Sequence, residues 1–279
     1  MKTINIKGEL LELSHPLVMG ILNVTPDSFY SGSRKQSEAE IVERAACILE
    51  EGGQIIDVGG QSTNPKSALL TADEELERLR FALKIINREF PEAILSVDTF
   101  YSKVAQTCVE EYGVAIINDI SGGELDKDMF DTVARLNVPY VLMHMRGTPQ
   151  TMSTLTSYDN MIQEIFYYFS EKIARLHLLG VNDIIIDPGF GFSKTVEQNY
   201  ELMAALRGFQ TFGLPLLVGI SRKRMIYNLL GINSEESLNA TTVLNTFAIQ
   251  NGAAILRVHD VKEAVQAIKI INELDKFPF

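Results

Sequence analysis

Short apolar runs recur along the chain, and after each one the apolar residues return every three or four positions. The runs cover residues 17–22 (LVMGIL), 54–58 (QIIDV), 93–97 (AILSV), 114–117 (VAII), 139–143 (PYVLM), 183–186 (DIII), 214–220 (LPLLVGI) and 253–258 (AAILRV). They are often β-branched and do not alternate with polar residues, as parallel strands covered on both faces require. The stretches between them have helical period. Ser37 with Glu40 predicts a capping box before Ile41, Val42, Ala45, Ile48 and Leu49, with Gly52 and Gly53 as the stop. Thr71 with Glu74 repeats the signal before Leu76, Leu79, Leu83 and Ile86. Further helices are predicted around Val104 and Cys108 up to Gly113, around Met129 and Val133, from Met161 to Gly180, around Leu202, from Met225 to Gly231, over 234–252, and from Val261 to Leu274. Eight strands alternating with helices over 279 residues predict an α/β fold, a single (β/α)8 TIM barrel spanning 1–279. The competing doubly wound dinucleotide fold needs G-x-G-x-x-G after its first strand. Asn23-Val24-Thr25-Pro26-Asp27 stands there instead.

A barrel of this kind carries its chemistry at the C-terminal ends of its strands. The residues at or just past the eight runs are Asn23; Asp57; Asp98 and Thr99; Asn118 and Asp119; His144; Asp187; Ser221, Arg222 and Lys223; and Arg257 and His259. Every run thus ends in a polar or ionisable side chain, and together these predict one ligand site at the mouth. Asp98, Asn118 and Asp187 form an acceptor-rich half. A rigid carboxylate accepts two parallel hydrogen bonds from a planar N–C–N edge, such as that of a pterin, a guanine or another 2-amino-pyrimidine. Lys223, Arg257 and His259 supply positive charge at the seventh and eighth strands, a frequent phosphate site in barrels. The expected ligand has a flat amino-heterocycle at one end and an anion at the other. Other strand-end residues have plainer readings. Asp57 divides evenly between a loop cap and a functional role, His144 reads as a packed core histidine, Asp119 as a turn or supporting residue, and Arg222 in part as a charge at a helix start.

Composition narrows the function classes. The formal net charge is −11 and the basic residues are dispersed, which argues against a nucleic-acid surface. The same charge repels an anionic ligand at long range, so a phosphate site must rely on local donors. Cys47 and Cys108, the two cysteines, both fall in helical patterns. That excludes a disulfide framework or a full zinc site and predicts reduced core residues of a cytoplasmic protein. Residues 1–16 contain no signal-peptide core, and no apolar run approaches the ~20 residues that cross a bilayer.

Eight strings, in order and touching every predicted strand, carry a resemblance: MGILNVTPDSF (19–29), IDVGGQST (56–63), SVDT (96–99), IINDISGG (116–123), LMHM (142–145), DPGFGF (187–192), GISRK (219–223) and RVHDV (257–261). The chain resembles the dihydropteroate synthases, pterin-binding barrels of folate biosynthesis. The resemblance implies condensation of 6-hydroxymethyl-7,8-dihydropterin diphosphate with p-aminobenzoate to 7,8-dihydropteroate and diphosphate. It implies that Asp98, Asn118, Asp187 and Lys223 hold the pterin. Thr63, Arg257, His259 and the backbone at Val258 would cradle the diphosphate. Thr63, Pro65, Phe192, Ser221 and Lys223 would line the p-aminobenzoate pocket, which sulfonamides would enter as mimics. Asn23 would bind a Mg2+ ion shared with the diphosphate, and the late helices, through Leu229, Leu230, Val243 and Leu244, would form a homodimer.

Two positions depart from the family pattern. Ser31 stands where the first loop usually has an aspartate, and Asn64 where the second usually has an arginine. Lys66, Arg34 or Lys35 would restore charge without the arginine fork. The departures predict that pterin binding persists while arylamine capture or turnover weakens. Two alternatives stay open on the sequence: a methyltransferase passing a methyl group from a reduced folate to a corrinoid protein, and a non-catalytic paralogue keeping the pterin pocket.

Overall fold

A computed structural model of the chain describes residues 2–24, 34–61 and 68–277. Two short strands, β1 (Thr3–Ile6) and β2 (Glu9–Glu12), open it as an antiparallel hairpin. Sequence reading missed this element, although Ile4 and Ile6 alternate with polar residues and Lys7-Gly8 supplies a two-residue turn. Both turn residues have positive φ (53° and 92°), as a tight hairpin of this twist requires.

The barrel strands follow: β3 (Leu17–Asn23), β4 (Ile55–Gly59), β5 (Ile94–Asp98), β6 (Ile116–Asp119), β7 (Tyr140–Met143), β8 (Ile184–Asp187), β9 (Leu217–Val218) and β10 (Ile255–Val258). All neighbours pair in parallel in the order β8-β7-β6-β5-β4-β3-β10-β9. A parallel bridge between Ile186 and Leu216 joins the two ends and closes the ring. The seventh strand is far shorter than the predicted 214–220. Pro215 has no N–H for the ladder, so pairing with β10 starts only at Leu217.

The helices are α1 (Arg34–Glu50), α2 (Ala72–Glu89), α3 (Ser102–Tyr112), α4 (Met129–Leu136), α5 (Met161–Leu178), α6 (Val196–Ala204), α7 (Arg224–Leu230), α8 (Leu238–Gln250) and α9 (Val261–Leu274). The predicted capping box at Thr71 and Glu74 is present in full, each side chain meeting the other's backbone N–H. The one predicted at Ser37 and Glu40 is not an N-terminus. Helix α1 begins three residues earlier and Ser37 is buried within it, since the same spacing also places two side chains one turn apart inside a helix.

Strand period decides what faces the barrel axis. Met19, Ile55, Ile116, Val141, Ile185, Leu217 and Ile255 pack together inside the ring, and Ile4, Ile6 and Leu13 of the hairpin segment close that layer from below. Val18, Leu22, Ile56, Val58, Leu95 and Ile184 point outward onto the helices. On four of the strands the inward side chain two residues further on is polar: Asp57 follows Ile55, Asn118 follows Ile116, Asp187 follows Ile185 and Arg257 follows Ile255. The lower half of the barrel is an apolar plug and its upper half a floor of polar groups.

Candidate active site

Arg257 organises that floor. Its Nε donates to Asp57 Oδ2 at 2.6 Å and its Nη2 to Asp98 Oδ2 at 2.8 Å. Asn118 Nδ2 donates to the same Asp57 oxygen at 3.0 Å. Three strands that pair side by side (β4, β5, β6) and one more distant strand (β10) are thus tied through one guanidinium. Asp57, evenly divided on sequence, is fully buried at the centre of the network, and among the described residues its Oδ1 has no partner. The positive charge expected from Arg257 is already shared between two carboxylates.

Asp187 sits at the end of β8, buried, its Oδ1 accepting from the Gly189 N–H at 2.8 Å. Gly189 has φ +72°, and a Cβ there would lie 2.0 Å from the His144 carbonyl oxygen, so only glycine fits. Lys223, just before α7, is half-buried. It donates to the Phe190 carbonyl and lies 4.8 Å from the centre of the Phe192 ring. Burial raises the carboxyl of Asp98 to about 7, against the opposing pull of Arg257 and with reinforcement from Asp57, Asp119 and Asp187. Burial also raises Asp187, opposed by Lys223. It lowers Lys223 to about 8, opposed by Asp187. Asp98 and Lys223 therefore titrate near neutrality, with Asp187 raised beside them, above the apolar plug. Such a set matches a flat heterocycle carrying both donors and acceptors on its edge.

Ser221 is buried, and its Oγ lies 3.1 Å from His259 Nδ1 while accepting the His259 backbone N–H. Desolvation and the charge of Arg257 hold the imidazole below its ordinary value of 6.5. His259 is therefore neutral at pH 7, which corrects the expectation that it adds positive charge to the unliganded mouth. Val258 is buried in β10, beside β3. Asn23 is exposed at the end of β3, its Oδ1 3.1 Å from where a Cβ on Gly59 would stand. Thr63, Pro65, Ser31 and Asn64 lie outside the described residues.

The plainer readings divide. Asp119 is a supporting residue, accepting from the Ser121 and Gly123 N–H groups and the Tyr140 hydroxyl. His144 is packed and buried, edge-on to Tyr168. Arg222 forks onto Asp260 through Nε and Nη2 at 2.9 and 2.8 Å, bracing the start of α9. Two buried ionisable groups escaped the sequence reading. Lys194 lies two residues past the DPGFGF string, and Glu75 shares the α2 face that carries Leu79, Ala82 and Ile86. Position on an apolar face was the available signal for Glu75.

The chain matches the family model described as pterin binding enzyme over residues 19–259. The chain belongs to the pterin-binding enzyme family. Within this pterin-binding family it is 42% identical to dihydropteroate synthase of Escherichia coli (strain K12), over 95% of this chain and 94% of that one. It superposes on the Yersinia pestis dihydropteroate synthase in a sulfonamide drug complex with a TM-score of 0.88, at 36% identity and with 99% and 100% of the two chains covered. The Xanthomonas albilineans dihydropteroate synthase, solved with 4-aminobenzoic acid, gives a TM-score of 0.89 at 35% identity, with 99% of each chain covered.

Proposed function

We propose that the chain is a dihydropteroate synthase, joining 6-hydroxymethyl-7,8-dihydropterin diphosphate to p-aminobenzoate in folate biosynthesis. The observation that carries this is the floor of buried Asp57, Asn118 and Asp187 and half-buried Asp98 around Arg257, in a chain similar to synthases along 95% of its length. The corrinoid methyltransferase alternative has no such support.

In this reading Asp98 and Asp187 grip the N–C–N edge of the dihydropterin, with Asn118 and Lys223 beside them. The C–O bond to the diphosphate breaks, and the electron-rich ring delocalises the charge left on the exocyclic carbon. The arylamine nitrogen then forms the C–N bond and releases its proton. Arg257, His259, Thr63 and the Val258 backbone receive the departing diphosphate, and entry of that anion favours protonation of His259. Phe192, Pro65, Thr63, Ser221 and Lys223 bound the arylamine side. Among the described residues no three His, Cys, Asp or Glu side chains are placed to hold a metal. The single exposed oxygen of Asn23 suits Mg2+, which characteristically keeps its waters and substrate phosphate oxygens. When bound, the ion supplies charge neutralisation to the leaving diphosphate.

We further propose a cytoplasmic homodimer. Exposed Leu229, Leu230 and Val243, on α7 and α8, support the pairing. Among the described residues no helix is long and apolar enough to cross a membrane.

The test is a two-substrate assay with Mg2+ and a sulfonamide competition arm. Product from both substrates, with inhibition competitive against p-aminobenzoate, supports the reading. Binding of the pterin without product assigns the chain to a non-catalytic role.

A further inference from the structure

The turn from Asp187 to Thr195 carries Asp187 and Phe192 into the mouth. Three of its residues have left-handed backbone: Gly189 (φ +72°), Gly191 (φ +81°) and Ser193 (φ +51°). Several carbonyls of so tight a turn point to one side and need donors. Lys194 provides them from beneath. Its Nζ donates to the Gly189 carbonyl at 2.9 Å and to the Phe192 carbonyl at 3.0 Å, and lies 3.1 Å from His144 Nδ1 at the end of β7. The side chain is buried, so its ammonium has left water for these three acceptors. Lys223 takes the intervening Phe190 carbonyl. Two lysines therefore share the carbonyls of one turn, and Lys194 meets it through the Gly189 and Phe192 backbone carbonyls.

His144 is matched to this role. Burial and the neighbouring positive charges of Lys194 and Arg146 hold its ring well below the ordinary histidine value, so it stays neutral. With the ammonium donating to Nδ1, the ring proton resides on Nε2. Ser193 ties the same two segments a second time: its Oγ accepts from the Arg146 N–H and donates to the Arg146 carbonyl, both at 2.9 Å.

We propose that Lys194 is a positioning residue of the synthase, whose ammonium shapes the 187–194 turn so that Phe192 and Asp187 present correctly to the arylamine and the pterin. The inference rests on the proposed synthase reading. A charged ammonium has three protons for its three acceptors, and the neutral amine has two. Desolvation lowers Lys194 to about 7; the groups acting on it are Asp187 on β8, which opposes the change, and Lys223 and Arg146, which reinforce it.

The test compares Lys194→Met and His144→Leu with the unaltered protein, with product formation by the latter checking the synthase reading first. Lys194→Met is expected to raise the KM for p-aminobenzoate about tenfold and weaken pterin binding by calorimetry about threefold, with kcat per folded molecule within about twofold. His144→Leu removes one acceptor and is expected to raise the same KM about threefold. His144→Asn, whose Oδ1 replaces Nδ1 as acceptor, is expected to restore it. A merely structural role would reduce the folded, active fraction and hence the apparent kcat, leaving KM unchanged. Unaltered KM and pterin affinity in Lys194→Met overturn the proposal. If that variant does not fold, unaltered KM in His144→Leu, or no rescue by asparagine, overturns it equally.

Discussion

Asp57 and Asp98 share one guanidinium, and that arrangement has consequences for individual side chains. Asp98 is held partly by Arg257, so a bound heterocycle competes with or joins an existing contact rather than meeting a free carboxylate. Asp98→Asn keeps the shape, removes the charge and leaves Arg257 paired to Asp57. It should weaken dihydropterin binding about 10- to 100-fold by calorimetric titration, the range of a lost charge-assisted hydrogen bond. Unchanged affinity would place the ring elsewhere. His259 offers a second check. Among the four histidines of the chain, its ring resonances should show an NMR inflection below the ordinary 6.5, and addition of diphosphate should move that inflection upward. The acceptor residues could be read from the sequence because strand ends are easily located. The pairing of Arg257 with Asp57 could not, since residues 200 positions apart meet only when the barrel closes.

At the scale of elements, the N-terminal hairpin and α2 support the site from opposite ends. Ile4 is 1% exposed and seals the apolar plug under the polar floor. Ile4→Ala should lower the unfolding free energy by ~2–4 kcal/mol in urea titration, as large-to-small core changes do, with kcat preserved. Glu75 in the first turn of α2 accepts from the Thr99 hydroxyl at 2.8 Å, beside Asp98, and its second oxygen has no partner among the described residues. Burial raises its pKa to about 8 from the ordinary 4.5. The folded state then binds a proton that the unfolded chain has lost, so this group's stabilisation is complete below pH 4.5 and is lost as pH rises through 8. Glu75→Gln should flatten the fall of Tm between pH 5 and 9 relative to the unaltered protein. Parallel curves for the two proteins would mean that Glu75 is ionised throughout. From the sequence Glu74 and Glu75 look alike as helix-start acids. Helix phase distinguishes them: one caps the helix in water and the other turns inward.

Across the whole molecule, α7 and α8 leave a face of exposed Leu229, Leu230 and Val243, the last 61% exposed. The proposed dimer covers it, and Val243→Glu should shift the sedimentation coefficient from dimer toward monomer while leaving thermal stability nearly unchanged. A monomeric unaltered protein would remove that proposal.

The order of strands and helices, and the polar residue at each strand end, were set by local rules. A doubly buried strand must be apolar, a helix must repeat every 3.6 residues, and a strand must stop where it meets water. The sequence therefore determined the barrel and the circle of candidate residues at its mouth. Closure of the ring decided what those residues do to one another. It brought Arg257 between two carboxylates, buried Lys194 under the turn that carries Asp187, and placed Glu75 against Thr99. These outcomes depend on distances across the axis and on removal of water from charged groups, both of which arise only once the eight strands have packed around a common core.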